Sequence, residues 1–267
     1  MKSAHTNLIQ PLFVFLAICC LTTSTVWSAQ TDLDYDGAFK QINNPVEFIA
    51  SEFKLAKSEN KKLLFVLGGN WCHDSRSLAK KLDDPLLSKT IRENYRLSMI
   101  DVGYLDKGFE FAEKAEMKTF YATPTVLIFD PVTEKHINSS DMHIWANAYK
   151  IEQLQANDYF ESYINPENSI KPIILTAAQK QHLAKLDDFK KLQEGRIKSS
   201  YSIIGPMLER YDADDIDSNF ENYWVATAKL RMALPGDIKA IKERILASSD
   251  KDIAGITFPE YEALPSE

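Results

Sequence analysis

Cysteine is scarce in this chain: 267 residues hold three, two adjacent at Cys19-Cys20 and one alone at Cys72. A disulfide-stapled scaffold is therefore excluded for the main body of the chain. Clustered Lys and Arg are missing as well. With 31 basic against 38 acidic residues and a formal charge of −7, the chain lacks the positive stripe that a phosphate backbone rewards, so no nucleic-acid partner is expected. Metal-ligand spacing is also lacking. His136, His143 and His182 follow no ligand pattern, and the consecutive side chains of Cys72-His73-Asp74 would point in different directions on a helix. Neither a metal nor a cofactor is expected. A composition of 45% hydrophobic and 26% charged residues describes a globular chain, long enough for one ordinary domain and a smaller companion.

An unbroken membrane-spanning segment is lacking too. The apolar run Leu8 to Leu21 is short and carries Pro11; Lys2 and polar residues precede it, and small and polar residues follow as far as Val26-Trp27-Ser28-Ala29. This is the pattern of a secretory signal peptide, with cleavage expected after Ser28. Ile18 is too bulky to precede a lipidated Cys19. The expected product is exported, periplasmic or secreted, and meets a membrane only through an uncleaved signal segment. Removal of residues 1–28 leaves Cys72 as the single thiol, which in an oxidising compartment is either buried and inert or kept for its reactivity.

What surrounds that cysteine argues for reactivity. Trp71-Cys72-His73-Asp74-Ser75 follows an apolar segment, Leu63 to Leu67, and two glycines, and it runs into a helical pattern marked by Leu78, Leu82 and Leu86. A sulfur at the start of a helix meets unpaired N–H groups and the positive end of the dipole, which favour a thiolate. Pro85 ends or kinks that helix at about Asp84. Fifty residues on, Ala122-Thr123-Pro124-Thr125 leads into Val126 to Phe129. Around these motifs the spacing predicts a helix from about Pro45 to Glu59 and a buried strand from Leu63 to Leu67. Next come a strand from Arg96 to Val102, a short helix from Phe109 to Met117 and a strand from Thr125 to Phe129. Tyr159, Phe160 and Tyr163 mark a closing helix. The alternation is that of a layered α/β domain.

Over about half its length the chain resembles the thioredoxin superfamily, whose hallmark is W-C-x-x-C at a strand-to-helix junction facing a cis-proline loop. Ser75 stands where the second cysteine belongs. The resemblance implies an α/β, thioredoxin-like fold over residues 34–165, with Cys72 as nucleophile, Ser75 as a hydroxyl donor to its thiolate and His73 as a tuning neighbour. It also implies that Trp71, Thr123 and Pro124 receive an extended substrate, the loop before the proline pairing with it as an added strand. Many thioredoxins carry a buried acidic residue five positions before the motif tryptophan; here that position is Val66. One thiol can form a mixed disulfide but cannot release it alone. The expected partners are therefore a protein disulfide or small-thiol substrate and an external resolving thiol. The alternative is a redox-inactive binding module for an exported partner protein.

Residues 166–267 change character. Leu183, Leu186, Phe189 and Leu192 recur every third residue, and Phe220, Trp224, Ala228 and Met232 every fourth; Pro235-Gly236 separates these from Ile238, Ile241 and Ile245, with Asp237 as a helix cap. The expectation is a C-terminal extension of three or four amphipathic helices without a repeat, packed on the α/β layer or on one another. Asn138-Ser139-Ser140 matches a glycosylation acceptor, which matters only in a eukaryotic secretory route.

Overall fold

The computed structural model describes residues 37–165 and 174–267, and the expected signal segment lies outside them. At the centre runs β1 (Lys62–Gly68), parallel to β2 (Tyr95–Asp101) on one side and antiparallel to β3 (Thr125–Phe129) on the other. Every residue of β1 after Lys62 is buried, because both faces of the strand are covered. Leu63, Phe65 and Leu67 alternate into one apolar cluster, while Leu64 and Val66 point into another. In β3, Leu127 and Phe129 join the first cluster and Val126 and Ile128 the second.

The helix α1 (Pro45–Ser58) starts where expected, with Pro45 in its first turn and the Asn44 side chain accepting from the Glu47 N–H. Val46 in its first turn is 71% exposed, and Ile49, Phe53 and Ala56 carry the contact with the core. Pro85 does more than end α2 (His73–Asp83). It opens a further helix, α3 (Pro85–Asn94), in which Asp84 accepts from the Leu86 N–H and Leu86 turns out to solvent. Then come α4 (Phe109–Lys114), a 3₁₀ segment at Met142–Lys150 that the apolar pattern does not signal, and the closing helix α5 (Gln153–Ser162). Asn138 is buried, and its amide bonds to Val126 O, the Ile128 N–H and the Tyr159 hydroxyl, so the glycosylation reading is corrected.

Beyond residue 173 two long helices replace the three or four expected: α6 (Ala177–Asp212) and α7 (Phe220–Ala247). Pro235-Gly236 lies within α7, because Leu230, Leu234, Ile241 and Ile245 on either side are all buried and hold one helix together through the missing N–H. Asp237 consequently caps nothing; its carboxylate accepts from the Tyr261 hydroxyl. Steps of three or four residues also drift around a helix that turns every 3.6 residues. Leu192 and Met232 end up 63% and 49% exposed, while Gln193 and Glu194 turn inward. Ile197, Tyr201, Ile204, Leu230 and Leu234 share one cluster with Phe65, Phe111 and Phe129, so the two helices pack on the α/β layer as well as on each other.

Candidate functional site

β1 ends under an aromatic ring, and only glycine permits it. A Cβ on Gly68 would come within 2.4 Å of the Phe39 ring and 2.7 Å of Ser75 Oγ; one on Gly69 would come within 2.5 Å of Trp71 Nε1. The chain then turns at Cys72, whose N–H donates to Gly69 O at 3.0 Å and whose extended φ/ψ of −82° and 123° make it the N-cap of α2. The thiol is free and half-buried. Across from it the Thr123–Pro124 bond is cis. Cys72 Sγ donates to Thr123 O at 3.1 Å, and the Thr123 hydroxyl donates to the sulfur at 3.3 Å. The fold thus brings together the two motifs that the sequence keeps 51 residues apart.

The remaining motif residues frame the sulfur without hydrogen-bonding to it. Ser75 is fully buried and its Oγ accepts from the Gly69 N–H at 3.3 Å, a bond that helps shape the turn before the cysteine. His73 is exposed and its ring lies against Tyr149, centroids 4.6 Å apart. Trp71 donates from its indole to Gly103 O at 2.8 Å and stacks on Tyr104 at 6.1 Å, which covers one of its faces. Val66 is buried among apolar side chains. Among the described residues no group of three or more His, Cys, Asp or Glu could hold a metal ion.

Residues 44–131 match the family model described as thioredoxin-like. The chain carries a thioredoxin-like domain. No curated protein matches it. Among solved structures it is similar to a disulphide isomerase from Xylella fastidiosa Temecula1, with 22% identity, a TM-score of 0.42, and coverage of 48% of this chain and 96% of that one. At the level of the family, the thioredoxin-like domain supports thiol–disulfide oxidoreductase-type function.

Several residues that complete the site carry no motif. Arg76, one turn into α2, donates through Nη1 to Asn70 O at 2.9 Å and Trp71 O at 2.7 Å, pinning the two carbonyls before the cysteine. Its position four residues after Cys72 on a helix is the one signal that would have found it. Asp74 accepts from the Tyr149 N–H at 2.9 Å, tying the first turn of α2 to the 3₁₀ segment. Outside the thioredoxin-like match, α6 grips the loop that leads to Pro124. The Glu194 carboxylate accepts from the Lys118 N–H at 2.9 Å and the Tyr121 hydroxyl at 2.5 Å, and the Tyr201 hydroxyl donates to Phe120 O at 3.1 Å. Burial above all raises the pKa of Glu194, and burial followed by the Glu194 charge raises that of Tyr121. The far end of α6 holds the other wall: Tyr104, which stacks on Trp71, donates to Asp212 at 2.7 Å, a bond that foremost pushes the phenol up to about 12. A Cβ on Gly205 would come within 2.4 Å of Tyr104 O.

Proposed function

We propose that this chain carries out monothiol thiol–disulfide exchange on exported protein or small-thiol disulfides, with Cys72 as the nucleophile. The supporting observation is the placement of Sγ at the N-cap of α2, 3.1 Å from Thr123 O beside the cis-proline. The Cys72 thiolate attacks one sulfur of the substrate disulfide; the S–S bond breaks, one half leaves as a thiolate, and a mixed disulfide joins the other half to Cys72. Ser75 offers oxygen and no sulfur, so release falls to another thiol. Where that thiol is a second cysteine of the substrate, one substrate disulfide replaces another with no net electrons, which is isomerisation. Where it is an external small thiol, the adduct leaves as a new disulfide and Cys72 returns as thiolate, as in deglutathionylation. Trp71, Thr123 and Pro124 form the ledge along which an extended substrate lies. Export rests on the N-terminal pattern of residues 1–28.

Trapping tests this reading. Native protein quenched with acid and alkylated under denaturing conditions should yield reductant-sensitive adducts on Cys72 by mass analysis, and the Cys72→Ala chain should yield none. Partner capture that survives Cys72→Ala, with Cys72 itself unmodified, would identify a redox-silent binding module instead.

A further inference from the structure

The turn after β2 is built around Trp71. Gly103 O takes the indole N–H at 2.8 Å, and the next residue, Tyr104, lays its ring over the indole with centroids 6.1 Å apart and planes 16° from parallel. Tyr104 stands between two left-handed residues, Gly103 at φ 58° and Leu105 at φ 68°. Glycine adopts that conformation freely, but in leucine it is strained and persists only where the surroundings impose it. The turn supplies that constraint. The Gly103 N–H donates to Asp101 Oδ1 at 3.0 Å, the N–H groups of Asp106 and Lys107 both reach back to Val102 O, and Leu105 is buried in the apolar cluster that holds Phe65. From the other side Gly205 of α6 approaches so closely that a Cβ on it would come within 2.4 Å of Tyr104 O. The backbone of Tyr104 is fixed; its side chain is held more lightly. The ring rests on one face of the indole, and among the described residues the hydroxyl bonds only to Asp212, exposed at the C-terminal end of α6, 2.7 Å away. A lone hydrogen bond in contact with water contributes little net stability, because water replaces it at either end. Rotation about χ1 carries the ring off the indole without moving the chain.

We propose that Tyr104 is a lid on the Trp71 ledge, latched by Asp212, which swings aside so that an apolar side chain of an extended polypeptide substrate takes its place on the indole. The inference rests on the exchange reading above and adds the regulation of that site. A strained backbone that is held from both sides and presents one lightly tethered ring over the ledge is what a lid requires. The indole itself stays in place, since its N–H is bonded to Gly103 O and its edge lies against Gly69, where a Cβ would come within 2.5 Å of Nε1. A small disulfide reaches the half-buried sulfur without the indole face, whereas an extended polypeptide lies along it. The latch residue belongs to α6, outside residues 44–131, so the helical extension sets how readily the ledge is bared.

The test compares two probes with the same leaving group: 2,2′-dithiodipyridine, and a short leucine-rich peptide whose one cysteine is carried as its 2-thiopyridyl disulfide. In each the Cys72 thiolate forms a new S–S bond, the probe disulfide breaks, and 2-thiopyridone leaves and is read by absorbance. Asp212→Ala, which deletes the latch acceptor, should raise the rate constant for the peptide about five-fold and leave the small probe within about two-fold. Tyr104→Phe, which keeps the ring and deletes the hydroxyl, should speed the peptide to the same extent. A peptide rate that falls or stays the same, or an equal rise for both probes, would overturn the lid. A second arm needs no thiol. In the Cys72→Ala chain, acrylamide quenching of Trp71 fluorescence, isolated by subtracting the signal of the Trp71→Phe variant, should rise about two-fold when Tyr104→Phe is added. Unchanged quenching would sink the lid as well. Unreactivity of Cys72 toward both probes would sink the exchange reading alone, and the quenching would then decide the lid.

Discussion

The Tyr121 hydroxyl donates to the Glu194 carboxylate at 2.5 Å, joining the loop that carries Pro124 to the middle of α6. Both groups are buried, and the other carboxylate oxygen takes the Lys118 N–H. The helical extension thus forms part of the frame that aims Thr123 at Cys72.

Removing that carboxylate should loosen the ledge. Glu194→Ala leaves a buried hydroxyl and a backbone N–H unpaired, so it is expected to cost about 2–4 kcal/mol in a urea melt. It should also slow alkylation of Cys72 in protein that remains folded. An unchanged melt and an unchanged alkylation rate together would show that α6 does not position the loop.

Burial raises the pKa of Glu194 above the ordinary 4.5, so the folded state holds its proton more tightly than the unfolded chain does. Its contribution to stability is full below 4.5 and is lost as pH rises through the raised folded value. Glu194→Gln should remove that decline, visible as a flatter plot of unfolding free energy against pH.

His136 acts in the opposite sense. Burial, foremost, lowers it to about 4, and its ring shares a 2.8 Å hydrogen bond with Asn138 Oδ1. Between pH 6.5 and 4 the unfolded chain takes up a proton that the folded one refuses. Stability present above 6.5 should therefore fall by about 3 kcal/mol across that window. His136→Gln should abolish the slope in chemical melts at successive pH values.

Thr123→Val keeps the shape of the loop and deletes the hydroxyl that donates to the sulfur at 3.3 Å. Loss of about 1 kcal/mol of stabilisation to the thiolate predicts roughly five-fold slower alkylation by iodoacetamide at pH 7. No change in rate would show that the hydroxyl does not act on the sulfur.

Ser75→Cys restores a second sulfur at the buried position that now accepts from the Gly69 N–H. A mixed disulfide on Cys72 should then collapse to an internal disulfide and release its substrate. The adduct should persist in the native chain and become transient in the variant, as read by quenched-flow mass analysis. Equal lifetimes in the two chains would mean that geometry, and not the missing thiol, limits release.

Much of the α/β layer was legible from local pattern. The continuous apolar run in β1 reported a strand covered on both faces, and Pro45 and Asp84-Pro85 marked helix ends through rules that act within one turn. The pairing of Cys72 with Thr123 could be anticipated only through the family resemblance, since no local rule joins residues 51 apart. Arg76, Glu194 and Tyr121 were not legible. Their roles depend on which carbonyls, hydroxyls and rings they face, and charged residues on amphipathic helices ordinarily face water. Pro235-Gly236 misled for a related reason: its local cost is outweighed by the buried leucines and isoleucines on both sides.

By itself, then, the order of residues determined a single thiol at the start of a helix, an apolar central strand and a C-terminal region of amphipathic helix, because these are properties of periodicity and of the backbone within a few positions. Tertiary structure alone decided where Thr123 sits against the sulfur and which helix holds the loop beneath it. Those contacts join residues far apart in the chain, and packing selects them only after each local element has formed.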